Sequence, residues 1–206
     1  MSEQQMADHW WWRPGWAVGR RFYTFHLTFQ HARDVHRLAA AYRQELAGVD
    51  GLDLIPDQWL HLTMQGLGFV DEVSEQDVRA IVDAAARRLA QVPAFELKLD
   101  RPGITPEAIR WEAEPPGPAA AVRLAIRQAI AEVWSDVPEQ EEGFAAHVSI
   151  AYSNSTGDPA PIAQALQAVD AAPAVTRIES AELIVLGRDR HMYEWDRYAT
   201  VSLAVG

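Results

Sequence analysis

Three short segments repeat one pattern: His26-Leu27-Thr28-Phe29, His61-Leu62-Thr63-Met64 and His147-Val148-Ser149-Ile150. Each sets a hydroxyl two residues after an imidazole. Ser and Thr make up about 7% of the chain, so its seven histidines should give roughly 0.5 such matches by chance. An imidazole titrates near neutrality, so two of them can serve as general base and general acid on opposite sides of a phosphorus centre. A hydroxyl beside each can donate to non-bridging phosphate oxygens as charge develops there. Such a scheme calls for no metal and no cofactor. The alternative use of three histidines, a zinc site built from His26, His61 and His147, leaves the recurring hydroxyl unexplained.

Elements that hold these groups follow from periodicity. In a strand, residues two apart share a face. His61, Thr63 and Gln65 therefore project together, opposite Leu60, Leu62 and Met64. Likewise His147 and Ser149 oppose Val148 and Ile150, and Thr24, His26 and Thr28 oppose Phe25, Leu27 and Phe29. Strands are expected at 20–30, 52–55, 59–69, 94–100, 108–113, 144–152, 175–186 and 196–204, with 94–100 paired to 108–113 across a Pro-Gly loop. Helices are expected at 32–47, 74–91, 118–134 and 160–169. Val35, Leu38, Ala39, Tyr42 and Leu46 recur at helical spacing in the first, and Val78, Ile81, Val82, Ala85 and Leu89 in the second. Ser74 and Asp77 supply first-turn chemistry for that second helix. The class is α+β with mainly antiparallel sheet. Each half carries a His-x-Thr/Ser strand, and turning both polar faces toward a shared groove would unite residues 86 positions apart.

Bulk composition narrows the function classes. The chain has 206 residues, 49% of them hydrophobic, which is enough for a sizeable core. It contains no cysteine, so disulfides, thiolate metal sites and a cysteine nucleophile are excluded. No apolar run reaches the ~18 residues of a membrane span, and the N-terminus has no signal-peptide pattern. A cytoplasmic protein is expected. A net charge of −11 argues against an extended nucleic-acid surface, because such binding depends on many Lys and Arg contacts. A short RNA end or a small nucleotide suits the chain better.

The segments LHLTMQGLGF and AHVSIAYSN resemble the paired His-x-Thr/Ser motifs of the 2H phosphoesterase superfamily, within it the 2′-5′ RNA ligase (LigT-like) group and related RNA 2′,3′-cyclic phosphodiesterases. The resemblance spans most of the chain. It implies a single bilobal, pseudo-twofold unit over 1–206, with antiparallel sheets flanked by helices around a central cleft. It also implies His61 and His147 as the catalytic pair, Thr63 and Ser149 as phosphate-binding residues, and an enzyme acting on 2′,3′-cyclic phosphate ends or 2′-5′ linkages as a monomer. A nucleotide-binding module without turnover, or a phosphodiesterase of a small metabolite, is the competing reading.

Around this centre, His26, Thr28, Gln65 and Tyr23 are candidates for substrate binding, with a structural role open for His26. Trp10, Trp11, Trp12, Trp16, Phe69 and Tyr152 could stack bases, although Tyr152 shares parity with Val148 and Ile150 and is expected in the core. Arg188 and Arg190, in the loop GRDRHMYEW, could reach a phosphate, but are read first as charged residues of a turn between two strands. His9, His31, His36 and His191 have no motif context and are expected at the surface or on helices.

Overall fold

The aromatic and Thr-rich run early in the chain forms β1 (Phe22–Thr28) in the computed structural model, which describes residues 5–205. It is followed by α1 (Arg33–Leu46), β2 (Leu52–Leu54), a 3₁₀ turn at Asp57–Trp59, β3 (His61–Phe69), α2 (Glu75–Leu89) and β4 (Phe95–Leu99). The chain continues with β5 (Gly103–Ile104), β6 (Ala108–Glu112), α3 (Pro116–Ala131), β7 (His147–Ser153), α4 (Ala160–Ala168), β8 (Ala174–Ile178), β9 (Ser180–Gly187) and β10 (Glu194–Ser202). Two four-stranded antiparallel sheets result, one in the order β10-β9-β1-β3 and one in the order β2-β7-β6-β5, with β4 and β8 forming a separate pair. This is the bilobal α+β arrangement, with the His26 and His61 strands β1 and β3 side by side in the first large sheet and the His147 strand β7 in the second.

Helices form where the apolar stripe is continuous. α1 buries Val35, Leu38, Ala39, Tyr42 and Leu46, and α2 buries Val78, Ile81, Ala84, Ala85 and Leu89. Ser74 caps α2 by accepting from the Asp77 amide at 3.1 Å, which satisfies one of the free N–H groups of the first turn. The apolar faces of β1, β3, β7 and β9 join these helices in one continuous hydrophobic cluster. Leu27, Leu62, Val148 and Leu183 lie within it, fully excluded from solvent.

Two expectations about pairing are corrected. β4 pairs with β8, and β6 pairs with β5 and β7. The run 94–100 meets not 108–113 but Glu114 just after it, at an isolated bridge from Lys98. The single strand expected at 175–186 is two strands, because the chain leaves the β4–β8 ribbon at Glu179 and enters the first large sheet as β9. Apolar alternation marks strand identity but does not select the partner, which is decided by where the helices bring the segments.

Three irregularities matter for the site. β3 carries extra residues at Met64 and Leu67 relative to β1, and β7 carries one at Ile150 relative to β6. An unpaired residue shifts every side chain beyond it to the other face of the strand. The period-2 reading therefore holds from His61 to Thr63 and from His147 to Ser149, and reverses after each bulge.

Candidate active site

Both motif histidines are set by the same backbone device. His61 Nδ1 lies 2.8 Å from the carbonyl of Trp59, and His147 Nδ1 lies 2.7 Å from the carbonyl of Ala145. Only a protonated nitrogen can bond a carbonyl, so each ring carries its proton on Nδ1 and presents Nε2 as the lone-pair nitrogen. In each case the acceptor sits two residues before the histidine, where the chain enters the strand. His61, Thr63, His147 and Ser149 line one cleft of about 530 Å³ between the two sheets. The common destination inferred for the polar faces is thus real.

Burial keeps both imidazoles neutral. Desolvation lowers His61 to about 4, with the nearby His147 charge acting in the same direction and the Trp59 hydrogen bond opposing it. His147 is lowered from its ordinary value by desolvation first; Arg110 adds to the effect, while the Ala145 hydrogen bond and Glu112 oppose it. A bound phosphate anion would favour the imidazolium forms and offset that penalty.

His26 occupies the layer beneath His61. Their rings stack with centroids 4.4 Å apart and planes 4° apart, and His26 is 1% exposed. His26 Nε2 is 3.3 Å from Thr63 Oγ1. With the proton on Nε2, His26 donates to that oxygen and leaves the Thr63 hydroxyl proton free for a ligand. Desolvation first, then His61, holds His26 well below its ordinary pKa. Parallel stacked rings cannot direct their in-plane lone pairs at one ion, so His26, His61 and His147 do not make a three-histidine zinc site. Among the described residues no group of three or more His, Asp or Glu side chains is arranged around a metal position. Trp195 packs edge-on against His61 at 5.3 Å and His26 at 5.7 Å, completing the wall that fixes the stacked pair.

Several cleft residues escaped the motif reading. His9, expected at the surface, is 8% exposed and stacks on Tyr152 with ring centroids 4.2 Å apart. Its Nδ1 lies 3.2 Å from Glu107 and its Nε2 lies 3.0 Å from the Tyr193 hydroxyl. Burial, then Arg13, lowers His9 to about 4. At neutral pH the ring is therefore uncharged, with Nδ1 donating to Glu107 and Nε2 accepting from Tyr193. Arg13 is ion-paired to Glu107 at 2.7 Å, and Arg110 faces the cleft from β6. Alternation between the buried Ile109 and Trp111 was the available signal for Arg110. No local signal existed for His9, whose partners lie about 100 and 180 residues away.

The bulges account for the positions of Gln65 and Tyr152. Gln65 pairs in register with Phe25 and is fully buried on the core side. Its Nε2 donates to the carbonyls of Gly66 and Pro138, and its Oε1 accepts from Arg127. Tyr23 is buried against Tyr198, and Thr28 lies at the end of β1 opposite His61. Neither they nor Gln65 are among the cleft-lining residues, whereas Thr24, Phe22 and His26 are. Tyr152 is buried in the hydrophobic cluster as expected, and the Ile150 bulge turns it to the cleft side, so that it also forms part of the cleft wall. Gly66 keeps the cleft floor tight, since a Cβ there would lie 2.6 Å from Glu139 Oε1 and 2.8 Å from the Phe22 ring.

Of the tryptophans, Trp16 lines the cleft. Trp10 is buried and donates to Asp53 at 2.7 Å, and Trp11 and Trp12 are half exposed. Phe69 packs edge-on against Phe22 and Trp16. Arg188 is not a solvated turn residue. It is 2% exposed among Trp10, Trp12, Trp16 and Tyr193, and its Nη2 donates to the His9 carbonyl. Arg190 is exposed and paired with Glu194.

The sequence profile of the 2′-5′ RNA ligase superfamily matches residues 37–190. No curated protein matches the sequence significantly. Among solved structures, the fold is similar to TT0787 of Thermus thermophilus, with a TM-score of 0.68, 18% identity, and 89% of this chain and 97% of that chain covered. It is also similar to LigT of E. coli, with a TM-score of 0.63, 17% identity, and 90% and 98% of the two chains covered. The conserved protein ATU0111 of Agrobacterium tumefaciens has a TM-score of 0.59, 13% identity, and coverage of 86% and 85%. His9, Arg13, Trp16 and the His26 strand on one side, and Tyr193 on the other, fall outside the matched stretch.

Proposed function

The chain belongs to the 2′-5′ RNA ligase superfamily of 2H phosphoesterases, and we propose that it opens 2′,3′-cyclic phosphate ends, or makes and breaks 2′-5′ phosphodiester linkages, in short RNA or small nucleotides. The observation that carries this reading is the matched pair of histidines, each held by Nδ1 to the carbonyl two residues before it and each offering Nε2 to the same cleft beside a hydroxyl. LigT of E. coli has been crystallised with 3′-AMP, with ATP and with phosphate, which supports a nucleotide phosphate as the ligand class.

In hydrolysis of a cyclic phosphate, one Nε2 takes a proton from water as its oxygen bonds to phosphorus. The other imidazole, in its protonated form, gives a proton to the departing 3′ oxygen, and a 2′-phosphomonoester remains. Thr63 and Ser149 donate to the non-bridging oxygens as negative charge builds on them. Making or breaking a 2′-5′ linkage uses the same geometry with an alcohol in place of water. A cleft of about 530 Å³ accommodates a nucleotide rather than a duplex, which supports action on chain ends or small nucleotides; the proposal is of a monomer working in the cytoplasm.

The test is turnover of a 2′,3′-cyclic-phosphate-ended oligonucleotide and of a 2′-5′ dinucleotide by wild-type, His61→Ala and His147→Ala protein. Each substitution should lower kcat at least ~100-fold, the usual contribution of one acid/base group. Wild-type rates in both variants would overturn the mechanism. Tight nucleotide binding with no turnover by the wild type would instead establish a binding module.

A further inference from the structure

The phosphate site described so far contains no fixed positive charge. His61 and His147 are held neutral by burial, and Thr63 and Ser149 are neutral donors. Bringing a phosphodiester anion out of water into such a cleft is costly unless a cation meets it. Two guanidinium groups line the cleft, Arg13 and Arg110. Arg13 is already engaged, 2.7 Å from Glu107. A third, Arg188, is enclosed by aromatic rings and is not part of the lining.

Arg110 differs from both. In the β6–β7 ladder it is the direct partner of Ser149, and directly opposed residues project on the same side of a sheet. Its guanidinium therefore reaches the cleft beside the hydroxyl expected to hold phosphate. Among the described residues its one ion pair is a 3.3 Å contact to Glu112, a carboxylate with 63% of its side chain exposed and so well screened. Its Nε, like those of Arg13 and Arg188, is buried with no hydrogen-bond partner among the described residues, an arrangement that normally costs stability and that a ligand oxygen would relieve.

We propose that Arg110 is the cationic anchor of the phosphate subsite, donating from its guanidinium to a non-bridging oxygen of a singly charged phosphodiester next to Ser149. Arg110 sets a positive charge beside Ser149 to meet the single charge of a cyclic or linear diester, in a cleft whose other lining charges are the Arg13–Glu107 pair and Glu139. This rests on the phosphodiester reading above for the identity of the substrate, but not for the binding of an anion.

The experiment follows inorganic phosphate binding in ¹⁵N-arginine-labelled wild-type protein, by the Arg110 Nε–H resonance and by calorimetry, alongside turnover of the cyclic-phosphate oligonucleotide. Phosphate should shift the Arg110 Nε–H signal. Arg110→Gln should weaken phosphate binding at least ~10-fold and lower kcat/KM ~100-fold or more, in the range seen when one transition-state donor is removed. Arg110→Lys, which keeps the charge but loses the fork, should fall between them. An Arg110 signal unmoved by saturating phosphate, or Arg110→Gln protein that binds phosphate and turns over substrate like the wild type, would overturn the proposal. Phosphate binding that depends on Arg110 in a wild type that turns over no diester would uphold the anion site and sink the phosphodiesterase reading alone.

Discussion

Acidification from pH 7.5 to pH 5 tests the buried imidazoles quantitatively. Burial holds His9 and His61 at about 4 in the folded chain, against ~6.5 in an unfolded one. Because the folded values are the lower ones, this contribution to stability is fully present above pH 6.5. It is lost as pH falls from there toward 4. At pH 5 an unfolded histidine is almost wholly protonated while either of these is about one-tenth protonated, so each costs about 2 kcal/mol by linkage. Two sites give ~4 kcal/mol, a large share of the ~5–15 kcal/mol that stabilises a typical domain. His26, pushed in the same direction, adds to the loss, and pH 5 lies above the range in which carboxylates take up most of their protons. The assay is urea unfolding at several pH values, comparing the wild type with His9→Gln/His61→Gln protein. The comparison is of slopes, so any baseline change in the variant cancels. A wild type that loses under ~1 kcal/mol, or a double variant with an unchanged slope, would refute the assignment of these rings as buried and neutral.

The same depressed values shape catalysis. Since kcat/KM reports the free enzyme's acid and base, its pH profile should rise near pH 4 and turn downward below pH 6.5, then fall ~10-fold per unit. A pH–rate series with its maximum above pH 7 contradicts this. Gln65→Met should cost ~1–3 kcal/mol, the usual penalty for unpaired buried groups, because Arg127 and the Pro138 carbonyl lose a partner. It should leave KM for a cyclic-phosphate substrate within about twofold. Thermal melts and steady-state kinetics on one preparation decide it, and a large KM increase at unchanged stability would return Gln65 to the substrate site.

Local sequence carried the parts of this protein that depend on near neighbours. Helical stripes such as Val35, Leu38, Tyr42 and Leu46 are set by a repeat that needs no knowledge of the partner, and they are buried as their spacing requires. The union of His61 with Thr63, and of His147 with Ser149, spans a single pleat and was equally legible. Two imidazoles and two hydroxyls at that spacing already point to phosphate chemistry as a class.

Everything that depended on register or long-range proximity waited for the tertiary structure. Single extra residues at Met64 and Ile150 reverse side-chain parity, which sent Gln65 into the core and turned the buried Tyr152 to the cleft side. A bulge is a property of two paired strands, so one strand's alternation cannot announce it. His26 joined the centre as a stacked support under His61, not as a ligand set, because only cross-strand pairing placed it there. His9 reached the cleft through contacts with Glu107, Tyr152 and Tyr193 from three distant parts of the chain. The sequence by itself marked His61, Thr63, His147 and Ser149 as candidates for phosphate chemistry. Strand register and lobe packing decided which of them meet, how far burial lowers their pKa, and that Arg110 stands opposite Ser149.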